Sequence, residues 1–336
     1  MSHSQDQWPD RTVTIACQSL VLRPLKNQDM HALLSLHNAV FGSTVDHAWF
    51  DWKYRDGQSV GFGLWQGDEM IAHCGGIPRQ FWQHGAVSSY LQIGDVMVTP
   101  NWRGVLTRNN PFALVSQAMY GHMLGQNHPY KVGFGFPNDR HMRLVVKTGL
   151  AWHVGDMVQL RWSDLSQDAS LGWTWCMQEM DAPDEALIAR AWQAMQSDIH
   201  GRDLCVGTRD WPHVRWRYMD RPDRQYRFVA LRRRWSRSVV GVLVLSRQSP
   251  VQWLDWIGPI HCMPKACIAA RLAAQAVGTQ ALTAWCSASV ADVLQSSGVS
   301  GSEVVAAIGV PVTSDFDGEQ GSVFPWWLMG GDTDFL

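Results

Sequence analysis

The chain carries seven cysteines but no two spaced Cys-x-x-Cys, so neither a metal site nor a dithiol redox centre is expected. An odd cysteine count in a large chain predicts reduced thiols and a cytoplasmic setting. Excess charge of either sign is also missing: 28 Lys and Arg stand against 30 Asp and Glu, a formal charge of −2. That balance gives no global attraction to nucleic acid or to an anionic membrane, and neither is expected as a partner. No window approaches the ~18–20 uninterrupted apolar residues of a spanning helix. The start, MSHSQDQWPDRTVT, has no apolar stretch of the secretory kind. What is present is apolar bulk: 46% hydrophobic and 17% charged residues, with 19 tryptophans. This is the composition of an ordered globular protein, and 336 residues suffice for two domains of roughly 150 each.

Tyrosine is scarce, and two of the six lie in blocks that resemble each other, HAWFDWKYRDG at 47–57 and HVRWRYMDRPD at 213–223. Trp52, Lys53, Tyr54 and Asp56 match Trp216, Arg217, Tyr218 and Asp220 at a spacing of 164. The flanking pattern repeats with them. In the first half, 12–25 reads as a strand and 28–40 as a helix, followed by the Trp-Lys-Tyr block. Two strands then meet at a Gln66-Gly67-Asp68 turn, and a further strand ends at Pro100. Asn110-Pro111 opens a helix, YKVGFGF forms a strand, and a helix from Asp139 ends near Gly149. In the second half GWTWCMQEM, a helix over 183–197, the Trp-Arg-Tyr block, a hairpin, a strand, a helix at Pro264, ALTAWCS and a last helix follow in the same order. The run Arg232-Arg233-Arg234-Trp235-Ser236-Arg237 falls at the tip of the lengthened second hairpin and reads as a solvated turn. The pattern predicts a tandem duplication, with domains 1–163 and 164–336 and a linker around 163–182.

The order of elements, together with FPNDRHMRLVVKTGL, resembles the GNAT-type acyl-CoA N-acetyltransferases. Members of that superfamily often show an Asn followed by Lys nine, Gly eleven and an aliphatic residue twelve positions on, here Asn138, Lys147, Gly149 and Leu150. The preceding IGDVMVTPNWRG resembles the superfamily's fourth strand and phosphate loop. The resemblance implies a mixed α/β fold (a mixed α+β sheet with helices on both faces) in two tandem GNAT-like domains, the second degenerate. It further implies acetyl-CoA as co-substrate and a small-molecule amine as acceptor, an amino sugar or amino-acid-like compound among the candidates.

The coenzyme's pantetheine arm would pair with the backbone of Val96, Met97 and Val98, where a splayed parallel pair leaves polar groups needing partners. Its pyrophosphate would lie over Arg103, Gly104, Val105, Leu106, Thr107 and Arg108, ahead of a helix N-terminus that favours anions. Leu106 departs from the family's loop, which has Gly or Ala there. Asn138 completes the donor side. Seven residues after it the family often carries a Tyr that protonates the departing thiolate. Val145 stands there instead, so His141 or a water takes the role. Asp95, the one acid of its apolar strand, is the candidate base or holder of a base water. Its alternative is a structural Asp bonded to backbone or to Arg, as Asp255 in the second half suggests. His73 could face the acceptor or be a satisfied core histidine. The Trp49, Trp52 and Tyr54 block is expected to anchor a short helix in the core.

The second half carries Ser287, Leu294 and Ser296 at the Asn138, Val145 and Lys147 positions, so a donor site is expected in the first half only. Two other readings compete: a Fem-type aminoacyl transferase, which the charge of −2 disfavours, and a non-catalytic acyl-CoA-binding protein. The tail FPWWLMGGDTDFL is too apolar to lie loose; up to Met329 it reads as a strand. Asp332 and Asp334 beyond it would reach an acceptor's ammonium or lie in solvent.

Overall fold

The computed structural model describes residues 8–42, 45–54, 60–104, 110–166, 169–313, 326–333 and 336. The first run of elements is β1 (Arg11–Ile15), β2 (Gln18–Pro24), α1 (Met30–Phe41), α2 (His47–Tyr54), β3 (Val60–Gln66), β4 (Glu69–Gln83), β5 (Ala86–Val98), α3 (Pro111–Met123), β6 (Val132–Phe134), α4 (Asp139–Lys147) and β7 (Ala151–Trp162). The second run is β8 (Trp175–Met180), α5 (Glu185–Ile199), β9 (Cys205–Gly207), α6 (Trp211–Val214), β10 (Tyr226–Arg233), β11 (Val239–Ser246), β12 (Val251–Ile257), α7 (Met263–Ala276), β13 (Leu282–Ser287), α8 (Ala288–Leu294), β14 (Gly301–Pro311) and β15 (Trp326–Trp327). A π-helical turn, Arg215–Met219, continues α6 through the second aromatic–basic block. β8 lies within the segment expected to be a linker. Among the described residues no helix is long and apolar enough to cross a membrane.

The chain divides into two compact units, residues 1–79, 88–154 and 308–321 in one, and 80–87, 155–307 and 322–336 in the other. Each unit therefore takes in a strand from outside its main run of sequence. In the first, Gly135 bonds reciprocally with Gly309 at the end of β14, at 2.9 and 3.0 Å. In the second, β15 at Trp326–Trp327 pairs parallel with β9.

The first unit's sheet runs β1-β2-β3-β4-β5-β6. Residues 12–25 are not one strand: β1 and β2 form a hairpin about Ala16 and Cys17, which sit at φ 48° and 62°. A two-residue hairpin with both central residues left-handed usually carries Asn or Gly there, and this one carries neither. The parallel β5/β6 ladder pairs Tyr90 with Val132, Leu91 with Gly133 and Gln92 with Phe134, and there it stops. β5 runs on to Val98 while the chain after β6 turns toward Gly309, so the two strands part. The second sheet runs β14-β7-β13-β12-β11-β10-β8. Its core is built on fully buried Trp162, Trp253 and Trp256 with the alanine-rich face of α7. Many of the chain's tryptophans are thus core residues.

Candidate active site

Asp95 lies on β5 just past the point where β6 leaves it, and its φ is +47°. A non-glycine residue in the left-handed region costs on the order of 1 kcal/mol and persists only where the surroundings hold it. Here three residues do so. Lys53 Nζ lies 2.8 Å from Oδ1, and the Tyr54 hydroxyl donates to Oδ2. His73 Nδ1 lies 2.8 Å from the Asp95 carbonyl oxygen. Lys53 and Tyr54 come from the end of α2, whose first turn is fixed by Asp46, accepting from Trp49 N at 2.9 Å. Consecutive helix residues diverge by about 100°, so they meet the two carboxylate oxygens from different sides. The ion pair is buried, with 3% and 7% side-chain exposure. Burial raises the Asp95 pKa, but the Lys53 charge and the bonds from Lys53 and Tyr54 outweigh it and hold the carboxyl below its usual range.

His73 is fully buried on β4. A carbonyl only accepts, so the proton sits on Nδ1, and Nε2 has no hydrogen-bond partner among the described residues. Desolvation pushes its pKa down to about 4, against a smaller opposing pull from Asp95. Space for it is made by two glycines. A Cβ at Gly61 would come within 2.8 Å of Nε2, and one at Gly75 within 2.6 Å of Cε1 and 3.2 Å of the Tyr54 hydroxyl. His37 packs beside Trp49 and Phe50, and burial lowers its pKa as well.

On the donor side, Val96, Met97 and Val98 occupy the part of β5 beyond the split. A turn over Pro100–Trp102 follows, and Arg103 Nε reaches back to the Val98 carbonyl at 2.9 Å. Gly104 has φ +86°, and among the described residues no atom beyond its chain neighbours lies within 4 Å of where a Cβ would be. Val105, Leu106, Thr107 and Arg108 lie outside the described residues. Asn110 and Asn138 cap α3 and α4, each accepting from a backbone N–H at 2.9 Å. The Asn138 carboxamide oxygen is therefore engaged in holding α4. His141 stands one turn into α4, half-buried, with its ring edge-on to Phe112 at 5.3 Å. Desolvation lowers its pKa. Val145 is buried on the same helix. Among the described residues no cluster of His, Cys, Asp or Glu could hold a metal ion.

The second unit repeats the central contact in a different setting. Tyr218 donates to Asp255 Oδ2 at 3.0 Å, as Tyr54 does to Asp95. Here the carboxylate faces Arg209, whose Nε lies 3.0 Å from Asp255 Oδ1 and whose other arm holds Asp332 at 2.6 Å. Arg217, the counterpart of Lys53, binds the carbonyls of Gly331 and Thr333, both at 3.0 Å. A Cβ on Gly331 would meet Asp255 Oδ2 at 3.2 Å. The tail thus fills the space beside this Tyr–Asp pair. Asp332 is neither solvated nor open to a ligand, as the sequence had suggested; it is one of two acids on a buried arginine. Asp334, Phe324 and Phe335 lie outside the described residues.

The recurrence of the aromatic–basic block consequently has a structural meaning that the expected role as helix anchor misses. Phe50 and Trp52 are core residues, but the following Lys53 and Tyr54 fix the buried acid of the central strand. The one local signal for this was the repeat itself, a Tyr matched by a Tyr and a lysine by an arginine.

A sheet whose parallel pair parts midway, with an acid in the left-handed region just past the split and a helix opening at Pro111, is the arrangement expected of an acyltransferase fold. Residues 21–137 match the family model described as an acetyltransferase (GNAT) domain. Over that stretch, about a third of its length, the chain is similar to the GNAT family. Among solved structures it is similar to a probable N-acyltransferase of unknown function from Enterococcus faecalis V583, with a TM-score of 0.67 at 10% identity over 90% of this chain and 74% of that one. A GCN5-related N-acetyltransferase from Kribbella flavida gives 0.60 at 15% identity, covering 86% and 70%. The N-myristoyltransferase of Saccharomyces cerevisiae, solved with myristoyl-CoA and inhibitors, gives 0.54 at 8% identity, covering 96% and 89%. These likenesses are of fold. No curated protein sequence matches the chain.

Proposed function

We propose that the protein is an acyl-CoA-dependent N-acetyltransferase that moves the acetyl group of acetyl-CoA to a small amine, of the amino-sugar or amino-acid-like class. The observation that carries the reading is the open edge of β5 after Gln92. On the side that faced β6, the backbone beyond that point has no further ladder partner among the described residues, and a chain of amides such as pantetheine satisfies it. Arg103, Gly104 and the N-terminus of α3 then receive the pyrophosphate, with residues 105–108 of the loop between them. The amine nitrogen attacks the thioester carbonyl, the C–N bond forms, the C–S bond breaks, and the thiolate takes a proton. Asp95 acts by position in this scheme. Its low pKa makes it a weak base, but a fixed carboxylate orients Tyr54 and a water that accepts the amine's proton. His141 is the proposed proton source for the thiolate.

The repeated order of elements and the shared Tyr–Asp contact support a tandem duplication, with repeats over 1–163 and 164–336. The second repeat takes no cofactor in this reading, because its own tail lies against the Tyr218–Asp255 pair. All seven cysteines are free thiols, in keeping with a reducing cytoplasm.

Calorimetric titration with acetyl-CoA is expected to show one site, weakened at least about tenfold in Arg103→Ala by loss of a charge-assisted bond to phosphate. Two equal sites, no binding, or an unchanged affinity in the variant would falsify the assignment. Titration with myristoyl-CoA beside it separates the acyl lengths. Asp95→Asn keeps shape while removing charge; its turnover is expected to fall about 100-fold with acetyl-CoA affinity unchanged. Wild-type turnover by the folded variant would remove Asp95 from the mechanism.

A further inference from the structure

The two most exposed tryptophans in the second unit, Trp173 at 84% and Trp235 at 79%, flank the ends of its edge strand β8 and of β10. β8 is the outermost strand, and its ladder with β10 pairs Arg233 with Trp175. The next step is a bond from Arg234 N to the Thr174 carbonyl at 2.9 Å. Trp173 and Trp235 follow directly beyond this step, Trp235 in the turn between β10 and β11. Two residues inward, the Arg233 guanidinium lies 3.7 Å over the Trp175 ring. Arg232 is held by the Arg237 carbonyl at 3.1 Å, and Arg234 by the Trp175 carbonyl at 3.3 Å. The stretches 169–178 and 231–240 contain four arginines and no acid. Asp168 and Glu179 flank the first stretch in sequence, and Glu179 is bound through both oxygens to Arg227 at 2.7 Å.

We propose that this hairpin tip is a binding site for a single-stranded nucleic acid, with the indoles stacking on bases and the arginines on phosphates. Two indoles left in water are unfavourable unless something covers them. The surrounding charge is positive, which selects an anionic partner with flat apolar faces. Bases on a phosphate backbone are that chemistry, and base–indole stacking needs no particular sequence. The arginines suit discrete phosphates because backbone carbonyls and a ring already hold them, so their forks are aimed before binding. A bilayer surface fits less well: no other large apolar side chain of these two stretches is exposed to enter it. The overall charge of −2, which predicts no nucleic-acid partner, averages over the whole chain and hides this local excess. The proposal is independent of the acyl-transfer reading.

Fluorescence anisotropy of a labelled oligouridine with the full chain tests it. Binding is expected at low salt and should weaken roughly 50-fold between about 50 and 200 mM salt if about four phosphates are neutralised. The double variant Trp173→Ala, Trp235→Ala is expected to lose at least about tenfold in affinity at an unchanged unfolding midpoint. Arg234→Glu with Arg237→Glu should abolish binding by an independent route. The proposal fails if the oligonucleotide does not bind at low salt, or if both variants bind as the wild type does. It fails too if phosphatidylserine vesicles bind and the oligonucleotide does not.

Discussion

Replacing Arg209 with leucine is expected to destabilise the second unit by about 3–5 kcal/mol, the usual loss when one partner of a buried ion pair is removed. Arg209 is fully buried and faces two acids, Asp255 at 3.0 Å and Asp332 at 2.6 Å, each about 1% exposed. Burial, reinforced by Asp332, already holds Asp255 above the usual carboxylate range in spite of the arginine. Without Arg209 the Asp255 carboxyl, already held high by burial, must take up a proton or draw in water. The destabilisation should therefore shrink as pH falls and the acids become neutral. It should also shrink when the acids are removed with the arginine, in the triple variant Arg209→Leu, Asp255→Asn, Asp332→Asn. Urea unfolding followed by tryptophan fluorescence measures this. A single variant within about 1 kcal/mol of wild type would show that the cluster is open to water.

The same cluster shows where the sequence was readable and where it was not. The turn at Gln66–Asp68, the Asn110–Pro111 start of α3 and the Asn138 cap of α4 are all local, and each was legible because one residue type has one physical task there. The hairpin at Ala16–Cys17 was missed because its left-handed residues are not the usual Asn or Gly. The site contacts were hidden for a different reason: they join residues far apart in the chain. Lys53 and Tyr54 meet Asp95 across 42 and 41 residues, and Arg209 meets Asp332 across 123. No window of sequence holds both members. The resemblance of the two blocks carries such information indirectly, since Tyr54 and Tyr218 each donate to an acid, Asp95 and Asp255.

Acid should weaken the first unit through His73 before it reaches any carboxylate. The buried imidazole has a pKa of about 4 in the fold, against an ordinary value of 6.5. Above pH 6.5 neither the folded nor the unfolded chain binds a proton there, and the histidine contributes no pH dependence. As pH falls from 6.5 toward 4, the unfolded chain takes up the proton and the folded one does not, so stability declines. At 1.36 kcal/mol per unit the loss approaches about 3 kcal/mol at the bottom of this window, and below it the dependence on His73 ends. The Asp95 carboxyl, itself held low, adds its own loss only at still lower pH. His73→Asn isolates the effect, since an amide N–H can still donate to the Asp95 carbonyl while the titrating ring is gone. Unfolding free energies at about pH 7.5 and 4.5 for both proteins give the comparison, and the variant should show a pH-dependent loss smaller by about 2–3 kcal/mol. Equal losses in the two proteins would mean that water or a partner reaches Nε2, and that the left-handed turn of the backbone at Asp95 is not sealed by a neutral histidine.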